Sequence, residues 1–177
     1  MMERKFIQSG IPGLDHVLGG GFVQGSIVAI GGPTGVGKST LAMQFIHNGA
    51  KEYGESGLYI SIEESRQEVY FHFAGFHWNL QNLEKDKKII LLDYPLHEVD
   101  QILNQYSAVQ VIIQSTGVKR VVIDSIMPIS LYFKTDEERK TGFLKLIENL
   151  RKWGVTTLIV SEDTRSPDMK MLPTSDS

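Results

Sequence analysis

The stretch Gly32-Pro33-Thr34-Gly35-Val36-Gly37-Lys38-Ser39 has the spacing of a phosphate-binding loop, a glycine, four residues, then Gly-Lys-Ser. Such a loop needs glycines so that successive backbone N–H groups can converge on a phosphate without Cβ clashes. A helix opening at its end adds a positive dipole terminus to the same anion. Lys38 is placed to bridge the β- and γ-phosphates, and Ser39 to offer its hydroxyl to Mg²⁺. Thr40 completes the nucleotide-binding set. The chemistry is recognition of a nucleoside triphosphate.

Acidic residues supply the rest. In Val121-Val122-Ile123-Asp124 a carboxylate closes an apolar run. Ligands of open α/β sheets sit at the carboxyl ends of strands, so Asp124 is the candidate acid for Mg²⁺, held directly or through water. Its other reading is a turn aspartate that caps the segment beginning at Ser125. Glu63-Glu64 comes after a second apolar run. One of the pair can orient and deprotonate a water attacking the γ-phosphorus. A solvated loop, with Glu64 favoured by the dipole of the next helix, explains the pair equally well.

The elements that position these residues alternate. The sequence predicts strands at Ser26 to Ile30, Gly57 to Ile62, Lys88 to Leu92, Arg120 to Ile123 and Val155 to Val160. Helical spacing of apolar residues predicts helices at Ser39 to Tyr53, after Ser65, from Glu98 to about Thr116, and from Asp136 to Trp153. Ser65 with Glu68 three residues on forms a capping box. A glycine-dense segment over residues 1–25 carries a short helical piece at Leu14 to Leu18. Continuous β-branched strands between amphipathic helices imply an α/β fold: a mainly parallel five-strand sheet with helices on both faces, in one domain. Residues 165–177 read as a weakly ordered tail.

Composition narrows the class. The 177 residues are 41% hydrophobic and 22% charged, as in a folded globular chain. The net charge of −3 disfavours a nucleic-acid binder. With no cysteine, disulfides, thiolate metal sites and cysteine nucleophiles are excluded. No apolar run reaches the ~20 residues of a membrane span, and no signal core stands near the N-terminus, so the chain reads as cytoplasmic. Phe71, Phe73, Phe76 and Trp78 read as core packing, with a partner surface as the alternative. The five histidines show no metal spacing, and Lys85-Asp86-Lys87-Lys88 reads as a solvated turn.

Jointly, several motifs resemble the KaiC-like ATPase domains of the RecA superfamily: Gly10-Ile11-Pro12-Gly13-Leu14-Asp15, Gly19-Gly20-Gly21-Phe22, the phosphate loop, Tyr59-Ile60-Ser61-Ile62-Glu63-Glu64-Ser65, Val122-Ile123-Asp124-Ser125 and Thr156-Thr157-Leu158-Ile159-Val160-Ser161-Glu162. The resemblance runs from Ile11 to about Asp163. It implies a RecA-like core, ATP or ADP with Mg²⁺ as ligands, and catalysis by Glu63 and Glu64 with Lys38. It also implies a γ-phosphate sensor at Ser161-Glu162 and a homo-oligomeric ring with nucleotide between subunits. Family domains continue past the fifth strand with elements that reach a neighbour's nucleotide. The sequence departs there, ending at Ser177, with Arg165 and Lys170 as the remaining cations that could stand in. The expectation is an ATP hydrolase coupled to a partner or assembly. Its alternatives are a regulatory nucleotide binder with little hydrolysis, and a recombination-type DNA-binding ATPase. A small-molecule kinase would want an arginine-rich lid, and the sequence after the fourth strand has none.

Overall fold

A computed structural model of the chain describes residues 4–62, 64–98 and 108–162. The N-terminal segment contributes strand β1 (Phe6–Ile7), helix α1 (Leu14–Val17) and strand β2 (Phe22–Val23). The two strands pair antiparallel, with Ile7 opposite Phe22. Gly21, between α1 and β2, has φ of 119°, and a Cβ there would stand 2.4 Å from the Ile7 carbonyl oxygen. Only glycine allows that approach.

The main body continues as β3 (Ile27–Gly32), α2 (Lys38–Glu52), β4 (Gly57–Ile62), α3 (Arg66–Phe73), α4 (Leu80–Lys85) and β5 (Ile89–Tyr94). After these come α5 (Ala108–Thr116), β6 (Arg120–Asp124), α6 (Met127–Tyr132), α7 (Asp136–Trp153) and β7 (Thr156–Glu162). Five strands form one sheet in the order β3-β7-β6-β4-β5, parallel throughout. The fold is therefore the expected α/β architecture.

Strand alternation divides the core. Leu58, Ile60 and Ile62 of β4 face one layer with Val121, Ile123, Val109, Ile113, Leu146 and Leu150. Tyr59 and Val122 face the other, with Ala42, Met43, Phe45, Val69, Phe73 and Leu158. Helix α2, which begins at the phosphate loop, thus shares a face with α3 and α4, and α5 and α7 cover the opposite one. Burial on both faces is why these strands read as unbroken apolar runs.

The sheet end remote from the phosphate loop is fixed by Arg120. Its side chain is fully buried. It donates to Glu55 Oε2 at 2.7 Å and to the Phe45 carbonyl at 3.1 Å, and its guanidinium lies 4.6 Å from the Phe45 ring centroid. Gly49 makes the space: a Cβ there would come within 2.3 Å of Arg120 Nε. A glycine inside a helix costs about 1 kcal/mol relative to alanine; here it admits the cation.

Several boundaries differ from the sequence expectation. Of the helix expected from Glu98 to about Thr116, the described part is Ala108–Thr116. Leu96–Glu98 forms a 3₁₀ turn instead, closed by Glu98 N–H donating to the Pro95 carbonyl at 2.8 Å, and residues 99–107 lie outside those described. Strands β5, β6 and β7 run on to Tyr94, Asp124 and Glu162, because neighbouring backbones continue the ladder past the last apolar side chain. Helices α4 and α6 and the β1–β2 pair have no counterpart in the sequence expectation. The 165–177 tail also lies outside the described residues. Phe73 is buried as core, whereas Phe71 is 81% exposed. The Phe76 and Trp78 rings stack with centroids 4.6 Å apart, and the His47 ring stacks with Trp78 at 5.3 Å.

Candidate functional site

The loop from Gly32 to Gly37 turns from β3 into α2. Gly35 and Gly37 have φ of 83° and 89°, in the left-handed region where a side chain is strained. Helix α2 starts at Lys38 with no side-chain cap and no acid in its first turn. Its leading N–H groups have no intrahelical acceptor by construction, so the turn is open to an anion. Lys38 Nζ donates to the Pro33 carbonyl at 2.8 Å, so the ammonium folds back over its own loop. Val36 is exposed on the loop.

Strand order brings the other candidates alongside. Gly31 pairs with Ser161 and Gly32 with Glu162 across β3 and β7. Next comes β6, ending in Asp124, and beside it β4, whose Ser61 stands opposite Asp124. Four neighbouring strand ends therefore present the phosphate loop, Ser161-Glu162, Asp124 and the segment leading to Glu64, in that order. Ser161 is buried and Glu162 exposed; alternation puts Glu162 on the α2 face and Ser161 on the other.

Asp124 is half-buried, and its Oδ2 accepts a hydrogen bond from the Tyr59 hydroxyl. Tyr59 is almost completely buried on β4. Burial, and then the Asp124 charge, hold the Tyr59 phenol well above its ordinary value. The Glu64 charge adds to the rise more weakly.

The segment after β4 is tied at both ends. The Ser61 hydroxyl donates to the Glu64 carbonyl at 2.8 Å. Ser65 caps α3 in a full capping box with Glu68. The Ser65 hydroxyl and amide both bond to the Glu68 carboxylate and hold its pKa below the usual range. Arg66 then reaches the Leu91 carbonyl at 2.6 Å and Glu84 at 3.0 Å, locking the start of α3 to β5 and α4. Tyr70 also donates to Glu84; burial and that bond push its phenol up to about 12.

The Glu64 carboxylate lies 3.2 Å from His72 Nδ1, with both side chains about half exposed. Glu63 lies outside the described residues. The structure thus brings the loop, Asp124 and Ser161-Glu162 to one sheet edge as the sequence reading expects. It adds Tyr59 and the His72 pairing, for which the sequence holds no sign. The β4–β6 register, Tyr59 opposite Val122, is what puts Tyr59 on the Asp124 face.

The donor set suits a hard cation carried on phosphates. Ser39 and Asp124 provide oxygen only, and among the described residues no group of three or more His, Cys, Asp or Glu side chains forms a protein-built cage.

The family pattern described as ATPase: KaiC matches residues 7–171. The chain belongs to the KaiC ATPase family. A UPF0273 protein of Thermotoga maritima is 31% identical over 172 residues, spanning 89% of this chain and 70% of its own. The circadian clock oscillator protein KaiC of Parasynechococcus marenigrum is 30% identical over 168 residues. That match takes in 91% of this KaiC-family chain but 33% of the clock protein. The crystal structure of a KaiC-like protein from Pyrococcus horikoshii superposes with a TM-score of 0.81 at 38% identity, over 90% of this chain and 71% of that one. Both the RecA-type fold and the ATPase-type character of the family agree with the sheet-edge site. Among the described residues no helix is long and apolar enough to cross a membrane.

Proposed function

We propose that this KaiC-family chain binds Mg·ATP at the edge formed by β3, β7, β6 and β4 and hydrolyses it to ADP and phosphate in the cytoplasm. The observation that carries the reading is the row of neighbouring strand ends, phosphate loop, Glu162, Asp124 and Glu64 segment. The backbone N–H groups of Thr34 to Ser39 cradle the β-phosphate. Lys38 exchanges the Pro33 carbonyl for β- and γ-phosphate oxygens. The hydroxyl of Ser39 and the carboxylate of Asp124 hold Mg²⁺, Asp124 directly or through water. That cation supplies neutralisation of charge on the β- and γ-oxygens.

Glu63 or Glu64 orients the attacking water and takes its proton. The water oxygen bonds to the γ-phosphorus as the bond to the β–γ bridging oxygen breaks, leaving ADP and inorganic phosphate. Ser161 and Glu162, adjoining Gly31 and Gly32, sense the γ-phosphate. Glu64 acts as the base either through its second carboxylate oxygen or by leaving His72, which contacts Oε2. The released energy serves an assembly, a homo-oligomer with nucleotide between subunits, or a protein partner. Phosphate release by the wild-type chain against Glu63→Gln and Glu64→Gln tests the reading; equal rates in all three would end it.

The Glu64–His72 contact favours a second reading, a regulatory nucleotide binder with little turnover. Under it Mg·ATP binds with ordinary affinity and neither glutamate substitution changes a rate already near background.

A further inference from the structure

The Asp124 carboxylate would be poorly directed if it simply ended a strand, because its side chain could rotate toward solvent. It is held instead by Tyr59. That residue pairs with Val122 across β4 and β6. Alternation therefore puts Tyr59, Val122 and Asp124 on one face, the face covered by α2. The Tyr59 ring is packed in that layer with Ala42 and Met43 and meets the Phe73 ring edge-on, centroids 6.4 Å apart. Its hydroxyl donates to Asp124 Oδ2 at the end of β6. Among the described residues Oδ1 carries no second hydrogen bond.

We propose that Tyr59 is a positioning residue for the metal-holding acid: its buried phenol engages one carboxylate oxygen of Asp124 and presents the other to Mg²⁺ or its water. The inference rests on the reading of Asp124 as that acid. A phenylalanine would pack equally well in the core. What needs tyrosine is the donor, and partners of this kind typically change metal affinity about 10–100-fold when lost. The role is confined to the metal side of the site. The Tyr59 ring shares its layer with Ala42 and Met43 of α2, a packing that phenylalanine keeps; the hydroxyl that phenylalanine lacks bonds to Asp124, not to the phosphate loop.

The test is calorimetric binding of ADP to the full chain, without metal and then across a Mg²⁺ titration, for wild type, Tyr59→Phe and Asp124→Asn. Tyr59→Phe is expected to leave metal-free binding unchanged and to raise the Mg²⁺ concentration for half-effect about tenfold or more. An unchanged Mg²⁺ dependence, or an equal loss of metal-free binding, overturns the positioning role. If Asp124→Asn responds to Mg²⁺ as wild type does, the reading of Asp124 itself fails, an outcome distinct from a failure confined to Tyr59. A second measurement avoids disturbing the core: fluorotyrosine placed at position 59 and observed by its ¹⁹F resonance. Its signal must move when Mg²⁺ is added to the ADP-bound chain, and a stationary signal refutes the proposal.

Discussion

Ser61 stands opposite Asp124 in the parallel β4–β6 ladder, and its hydroxyl donates to the Glu64 carbonyl at 2.8 Å. One residue thus sets the start of the acidic segment level with the candidate metal acid. Neither contact involves a charged side chain, so the spacing between Asp124 and the segment leading to Glu64 is set by backbone register. Replacing Ser61 by alanine should lower phosphate release while leaving ADP affinity unchanged, since the lost bond, a neutral one of roughly 1 kcal/mol, holds the Glu64 backbone and not the phosphate loop. Steady-state phosphate assays beside ADP calorimetry check this.

The two glutamates should separate by role. Substituting the general base by glutamine is expected to reduce phosphate release about 10²–10⁴-fold, with little effect on ATP affinity. His72→Gln, which removes a partner from Glu64 without touching phosphate, should raise or preserve the rate if Glu64 is the base. A fall in rate comparable to that of Glu64→Gln would instead give His72 a direct part.

Gly49→Ala should be strongly destabilising although it lies far from the site. Overpacking costs about 1–3 kcal/mol, and displacement of Arg120 from Glu55 adds to that because a buried charge loses its partner. For a chain of this size each kcal/mol lowers the midpoint by about 2–4 °C. Thermal unfolding monitored by circular dichroism measures it. Nucleotide affinity of the folded fraction should be unchanged.

The Ser65–Glu68 capping box makes the start of α3 acid-sensitive. Hydrogen bonds from Ser65 hold Glu68 below its ordinary value. A carboxylate depressed in the folded state adds stability above its unfolded pKa and loses it as pH falls through the folded one. Protection of the Ser65 amide, its exchange relative to the free-chain rate at the same pH, should therefore fall as pH drops below about 4.3, the unfolded glutamate value. In Glu68→Gln that acid-dependent step should vanish.

Much of this is legible in the residues themselves. The loop, the strand–helix alternation and the Ser65–Glu68 cap are local, and local spacing encodes them. Helix α6 escapes a sequence reading because Met127-Pro128-Ile129-Ser130 looks like a breaker, yet proline is well placed in a first helical turn. Helix α4 is six residues long, too short for periodicity to declare. Strand order is non-local: nothing in the sequence says that β7 and β6 lie between β3 and β4. For that reason Asp124 can be named from sequence but its Tyr59 partner, 65 residues away, cannot.

The oligomeric expectation has its own check. Light scattering after size exclusion should show an assembly larger than one chain in Mg·ATP. A monomer with and without nucleotide would remove the ring from the account while leaving the binding site standing.

The most direct test of the central claim is calorimetric titration of the chain with Mg and a slowly hydrolysed ATP analogue, wild type against Lys38→Ala. The wild type should show one saturable site per chain. Loss of the Lys38 charge should weaken it about ten- to a hundredfold. Thermal stability of the free protein should be unchanged, because the Lys38 ammonium bonds to its own loop at an exposed position. No binding by the wild type, or equal affinity in Lys38→Ala, would contradict it.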